Sequence, residues 1–565
     1  MKQNRRKNIA GRTTNMLVTV MKTLKPLFTV ISRIYFTLVC CFFTFIYHFL
    51  SRKVISAPRD KLLTISATQA AQMIRNRKIT SFSLVEAYIK RIKEVNGTIN
   101  AVVQMNFKDA LIKAQEIDEM LGSLDTDSED FKSLAVRKPL LGVPFTLKDS
   151  IEVDGLYCTV GISYRKKSVS NKDAIVVQRM KDAGAVLLAV TNVPEVCMWW
   201  ESVNVVYGRT RNPYDSRRIS GGSSGGEAAL ISAAGSVIGI GSDIAGSIRL
   251  VPLEGHLPHL NGYRTEKMLL IGPMCRYAED LSILLRVFAG SEGTNLLQMD
   301  APFNMKKMRI FYMEGLKTPL VQDDKEMAFN VNEYLKTLVV RYFEIKYNLC
   351  AVRIDPPLVH YALEFFLTSM DVADAPKFAM HMTDLKASLI FRPILFSVVI
   401  TSLFRFRKHT LLHSFTAIMN INCFVELFKW LMGKSVHTLP AIITGIVDEH
   451  FAPFNEKQKQ KLRNQRDRLS REVEQLLSDN GILLFPSFPT EAPYHHQPLF
   501  TPLNFAYTAL WNTLALPAVQ CPVGLNSHNI PLGIQVIGAP GSDSLLAVVA
   551  QDLEKGFGGW RPLNT

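Results

Sequence analysis

The chain has 565 residues, 47% of them hydrophobic and 20% charged, and carries a formal net charge of +15. This balance suits a globular core with an added apolar segment and excludes a disordered or fibrous chain. The charge is uneven: residues 1–61 hold twelve Lys and Arg against Asp60 alone, which supplies +11 and leaves the rest near neutral, so no nucleic-acid partner is expected.

Those basic residues flank an apolar run over residues 27–50, interrupted only by Arg33. Its uncharged part, residues 34–50, is at the short end of what crosses about 30 Å of hydrocarbon, and Arg33 lengthens the span by snorkelling. A long preceding region and the lack of an A-x-A site favour a single-pass anchor over a cleaved signal peptide. The predicted organisation is therefore a basic N-terminus and transmembrane anchor over residues 1–53, followed by one catalytic domain over 54–565. Eight positive charges before Ile34 against four after Leu50 lean towards a luminal catalytic domain. The eight cysteines show no metal-type spacing, so neither a disulfide framework nor a zinc site is predicted. On a luminal domain, Asn96-Gly97-Thr98 would be a glycosylation acceptor.

Amphipathic periodicity with a leading serine predicts helices over 66–77 and 81–95, and a third over 109–121. An apolar strand over 139–149 ends in a polar turn, and a helix over 174–183 feeds a strand over 185–191, the alternation of an α/β fold. The apolar run 389–404 is too short to span; it reads either as a buried core helix or as an interfacial one. Strands over 481–486, 517–524 and 531–538 and a helix over 543–555 close the chain.

The densest small-residue stretch is Gly221-Gly222-Ser223-Ser224-Gly225-Gly226, running straight into Glu227-Ala228-Ala229-Leu230. Glycines allow a tight loop with inward N–H groups, to which the following helix adds donors. A flexible linker would not lead into a packed helix, and a phosphate loop would need a Gly-Lys-Ser/Thr ending. The loop also matches G-x-S-x-G with Ser223 or Ser224 central, but such an elbow needs an apolar strand before it, and residues 212–218 (Asn-Pro-Tyr-Asp-Ser-Arg-Arg) are not one. Further on, Ser247 stands in Gly-Ser-Asp-Ile-Ala-Gly-Ser-Ile-Arg (241–249), a turn able to aim several N–H groups at an oxyanion. Lys148 ends the strand in Gly-Val-Pro-Phe-Thr-Leu-Lys-Asp (142–149), where burial makes it a candidate base.

These three motifs, in this order and spacing, resemble the amidase-signature family, and the likeness extends over most of residues 62–565. The resemblance implies an α/β fold with a large mixed twisted sheet surrounded by helices. It implies a Ser-Ser-Lys triad in which Ser247 is the nucleophile, Ser223 the bridge and Lys148 the base. The backbone N–H groups of Ile244, Ala245, Gly246 and Ser247 would form the oxyanion hole. No metal or cofactor is implied. The expected partners are a lipophilic amide, such as a fatty-acid amide, and a membrane; a homodimer is compatible with these. Amidotransferases share the signature but conflict with the anchor. Two departures stand out. Ala245 replaces the family's usual glycine, and Arg249-Leu250 runs directly into Val251-Pro252, where the family continues through a buried strand. The missing piece reads as a skipped exon or faulty gene model, or else as the mark of a catalytically impaired or dead, membrane-tethered amidase-like protein.

Overall fold

The computed structural model describes residues 26–243, 270–296, 303–322, 338–371, 377–383, 422–451, 453–478 and 480–562. Helix α1 (Pro26–His48) is long and apolar enough to cross a membrane. It is not surrounded by solvent. Phe36, Val39, Phe43 and Tyr47, spaced three and four residues apart, share one face and are buried. Tyr47 stacks on Tyr494 with ring centroids 4.8 Å apart and donates its hydroxyl to the His495 carbonyl at 2.9 Å. Phe43 meets Phe500 edge-on. The opposite face, with Leu38, Phe42, Phe45 and Phe49, is exposed.

Helices α2 (Ala67–Arg75) and α3 (Ser81–Ile99) start as predicted, their ends set by caps: the Ser66 hydroxyl accepts from Gln69 N, and that of Thr80 from Ser83 N. Near the end of α3, Asn96 Oδ1 accepts from the N–H groups of Ala101 and Val102, both at 2.8 Å, while Nδ2 donates to the Val102 carbonyl. The sequon's amide is thus committed to turning the chain into strand β1 (Val102–Met105). A glycan on Nδ2 would disrupt this turn, which argues against the glycosylation expectation.

After α4 (Phe107–Ser123) and α5 (Glu129–Arg137) comes β2 (Pro144–Lys148), buried throughout, then α6 (Ile175–Asp182) and β3 (Val186–Thr191). A two-residue hairpin, β4 (Val203–Asn204) and β5 (Gly208–Arg209), precedes α7 (Gly225–Ser232), β6 (Ile238–Asp243), β7 (Leu270–Cys275) and α8 (Glu279–Leu296). These elements build a five-stranded sheet in the order β1-β3-β2-β6-β7. The three central strands are parallel and the two edges antiparallel, β7 pairing with β6 from Ile238↔Cys275 to Asp243↔Leu270. Parallel strands covered on both faces read as continuous apolar runs, which is why β2 and β3 were visible in the sequence.

A second five-stranded sheet contains β8 (Arg309–Tyr312), β9 (Ala351–Arg353), β10 (Gly481–Pro486), β11 (Ala518–Leu525) and β12 (Pro531–Ile537), ordered β11-β12-β10-β8-β9. The strands are mixed and wrapped by helices as expected, and among the described residues they fall into two sheets. The predicted run 389–404 lies outside the described residues.

Candidate active site

Lys148 is the last residue of β2, opposite Thr191 of β3 in the parallel register, and its side chain is completely buried. Its Nζ lies 2.7 Å from Ser223 Oγ and 2.7 Å from Ser242 Oγ, with Ser224 Oγ at 3.3 Å and the Ser242 carbonyl at 3.4 Å. Burial pushes the Lys148 pKa below the ordinary lysine value; Cys197, Asp243 and Glu227 pull it the other way. A neutral amine has a lone pair, so the contact at 2.7 Å can reverse, with the Ser223 hydroxyl donating to nitrogen.

Two glycines explain how Ser223 reaches that point. A Cβ on Gly222 would sit 2.5 Å from the Trp199 carbonyl oxygen, and one on Gly226 would sit 2.4 Å from Asn192 N. The loop therefore lies against the backbones of residues 192 and 199–200 at a distance only glycine permits. Residues 212–217 precede it as irregular backbone with turns and bends, and Arg218 makes only an isolated bridge to Tyr494, so the elbow alternative fails: there is no strand to present the serine. Ser224 is instead tied to β6, exchanging 3.3 Å contacts with the N–H and carbonyl of Ser242.

Sequence reasoning passed over four residues around this centre. Ser242, at the second position of the 241–249 motif, is as close to Lys148 as Ser223 is. Asp149 is fully buried, accepts from Thr159 N at 2.9 Å and from the Thr159 hydroxyl, and is pushed up to about 7 by burial. Glu227 of α7 turns under the sheet to accept hydroxyls from Thr146 and from Thr191, the latter at 2.6 Å, and burial raises it also to about 7. Glu195 accepts from His437 Nδ1 at 2.6 Å and from Thr438 N at 2.8 Å, joining the turn next to Cys197 to the helix Leu439–His450. The first three stand inside the three motifs; only their proximity to Lys148 marks them. Ser247 and the oxyanion candidates Ile244, Ala245 and Gly246 lie outside the described residues.

The family description "Amidase" matches residues 83–547. Fatty-acid amide hydrolase 2 of Homo sapiens is 37% identical over 524 residues, 89% of this chain and 90% of the relative. The chain belongs to the amidase-signature family. It is accordingly an amide-hydrolysing enzyme. A fish relative, fatty-acid amide hydrolase 2-A of Danio rerio, is 37% identical over 523 residues, again 89% of this chain and 90% of the relative. A solved fatty acid amide hydrolase structure has the same fold, with a TM-score of 0.64 at 19% identity over 90% of this chain and 87% of that one.

Proposed function

We propose that this amidase hydrolyses lipophilic amides, such as fatty-acid amides, at a membrane, with Ser247 as nucleophile, Ser223 as bridge and Lys148 as base. The observation that carries the reading is the 2.7 Å contact between the wholly buried Lys148 Nζ and Ser223 Oγ. In sequence, Ser247 follows β6 by four residues, and Ser242 of that strand also touches Lys148. Neutral Lys148 takes the Ser223 proton as Ser223 takes that of Ser247, whose Oγ bonds to the amide carbon. The N–H groups of residues 244–247 receive the oxyanion. As the C–N bond breaks, the proton returns through Ser223 to the departing amine, leaving an acyl-serine that water cleaves by the same relay.

Three features support a lipophilic substrate and a membrane. The Trp199 and Trp200 rings stack with centroids 4.1 Å apart beside Gly222, and Phe505 and Phe366 extend this aromatic wall. Helix α1 offers a long exposed apolar face. The helix Cys423–Leu431 exposes Phe424, Phe428 and Leu431 as well.

A second reading, impaired catalysis, is favoured by the sequence junction at Val251, four residues after Ser247, where the family continues through a strand. Fluorophosphonate labelling tests both readings. The proposal requires labelling that Ser247→Ala removes. If labelling appears only after a strand is inserted behind Leu250, the impaired reading holds.

A further inference from the structure

Helix α1 ends on the segment that leads into the Ser223 loop. The Tyr47 carbonyl lies in the last turn of α1, where helical donors run out, and accepts from Arg217 Nη1 at 3.2 Å and from Leu50 N at 3.3 Å. A guanidinium there also faces the negative end of the helix dipole. Arg217 is itself held by Asp215, with Nε on Oδ1 at 2.9 Å and Nη2 on Oδ2 at 2.8 Å. Beyond the helix the chain stays on the same segment. Arg52 Nη2 donates to the Tyr214 carbonyl at 3.1 Å. Lys53 and Ser216 exchange two bonds of 3.0 Å, Lys53 N to Ser216 Oγ and Ser216 N to the Lys53 carbonyl. Ile55 N then donates to the Pro213 carbonyl at 3.2 Å.

A second set of contacts ties this segment to the residues on which Tyr47 rests. Tyr494, stacked on Tyr47, carries the Arg218 guanidinium 4.3 Å from its ring centroid. His495 N donates to the Arg217 carbonyl at 3.1 Å, and Ile219 N to the Pro493 carbonyl at 3.0 Å. Ser223 follows Ile219 by four residues. Between them, Gly221 and Gly222 carry wide backbone freedom, Gly221 with a φ of 96°. The place of Ser223 therefore depends on where the two ends of its loop are held. The far end is held where Gly226 N donates to the Asn192 carbonyl at 3.1 Å, and the near end by the residues that α1 grips.

We infer that α1 is a positioning element of the active site: Tyr47, Arg52 and Lys53 fix residues 213–219, and through them hold Ser223 at its 2.7 Å contact with Lys148. These residues act through the loop and not on the substrate. A displacement of Ser223 near 1 Å costs on the order of a hundredfold in rate, so even a partial release of the loop is read in turnover. The effect on rate rests on the reading of Ser223 as the bridging serine, whereas amide exchange in the loop reads the clamp without that assumption.

The full chain in detergent micelles is compared with Tyr47→Ala, which removes the stack on Tyr494, and with Arg217→Met, which removes the cap on α1. Each should speed amide exchange about tenfold at Gly225 and Gly226, the far end of the loop. Each should also lower kcat on an amide by about tenfold or more while KM moves by less than about threefold. Tyr47→Phe, which keeps the ring, should retain most of the rate. Phe45→Ala, on the exposed face of α1, should change neither reading. If Tyr47→Ala does not fold, Tyr47→Leu replaces it. The inference is overturned if exchange at Gly225 and Gly226 is unchanged in both variants, or if the loss falls on KM alone. It is also overturned if Phe45→Ala causes an equal loss, which would trace the effect to the detergent-facing side of α1. Ser223→Ala separates this inference from the proposed function. Should it keep full turnover, Ser223 is not the bridge, and exchange alone then decides whether α1 holds the loop.

Discussion

Lys148→Met tests the relay with little disturbance of packing. The thioether side chain has nearly the volume of the lysine stem but neither donates nor takes a proton, and the site is completely buried. Two opposing effects act on stability. Ser223 Oγ and Ser242 Oγ each lose a 2.7 Å partner, a net loss of about 0.5–1.5 kcal/mol apiece. Against this, the cost of burying an amine disappears. Unfolding free energy should therefore change by less than about 2 kcal/mol. Catalysis should change far more. Loss of general acid–base assistance typically costs 10²- to 10⁴-fold, or about 2.7–5.4 kcal/mol of barrier. The loss should fall mainly on amides, because an amine must be protonated to leave and an alkoxide is a better leaving group. The assay is kcat/KM on an amide and ester pair sharing one acyl chain, alongside thermal unfolding. Wild-type kcat/KM should also rise with pH and level off below the ordinary lysine pKa, as burial lowers that of Lys148. Equal losses on amide and ester, with a thermal midpoint unchanged, would refute the assigned role.

Ser247→Ala should abolish fluorophosphonate labelling while Ser224→Ala reduces it only partly, since Ser224 bridges to β6; the reverse ranking would reinstate the elbow. Asp149 and Glu227 have folded-state pKa values raised to about 7, so they hold protons that the unfolded chain releases above its ordinary carboxyl pKa. Their stabilisation is complete below about pH 4 and lost as pH rises through 7, with a slope of about 1.4 kcal/mol per pH unit for each proton. Glu227→Gln should flatten the fall in denaturant midpoint between about pH 5 and 7, and an unchanged slope would count against this account. Removing residues 1–53 should weaken integral membrane association, read by carbonate extraction, and lower the thermal midpoint by uncovering Tyr494 and Phe500. A truncated chain that still resists extraction would show the anchor to lie elsewhere.

Much of this molecule was legible from local pattern. Apolar continuity marked β2 and β3, and amphipathic periodicity with a leading serine marked α2 and α3, although the residue that caps α3 is Thr80 rather than Ser81. The helix Glu456–Leu477 escaped because only Leu462, Leu469, Val473 and Leu477 are buried along a strongly charged segment. The motifs named Lys148 and Ser223 as partners 75 positions apart, and the fold places them 2.7 Å apart.

What the sequence determined by itself was whatever short-range chemistry dictates: strand and helix periods, a glycine-rich loop and the apolar α1; the relay residues came from the motifs' resemblance to a family. What only the tertiary structure decided depends on groups distant in the chain. Ser242 and Glu227 gain their contacts with Lys148, Thr146 and Thr191 from the β2–β6 pairing and from the placement of α7. Asn96 becomes a cap because the chain turns back at Val102. One face of the apolar helix α1 is buried on the catalytic body, a choice between protein and lipid that hydropathy cannot make because both are apolar. The grouping of the described strands into two sheets likewise emerges only in three dimensions, since pairing joins residues far apart in the chain.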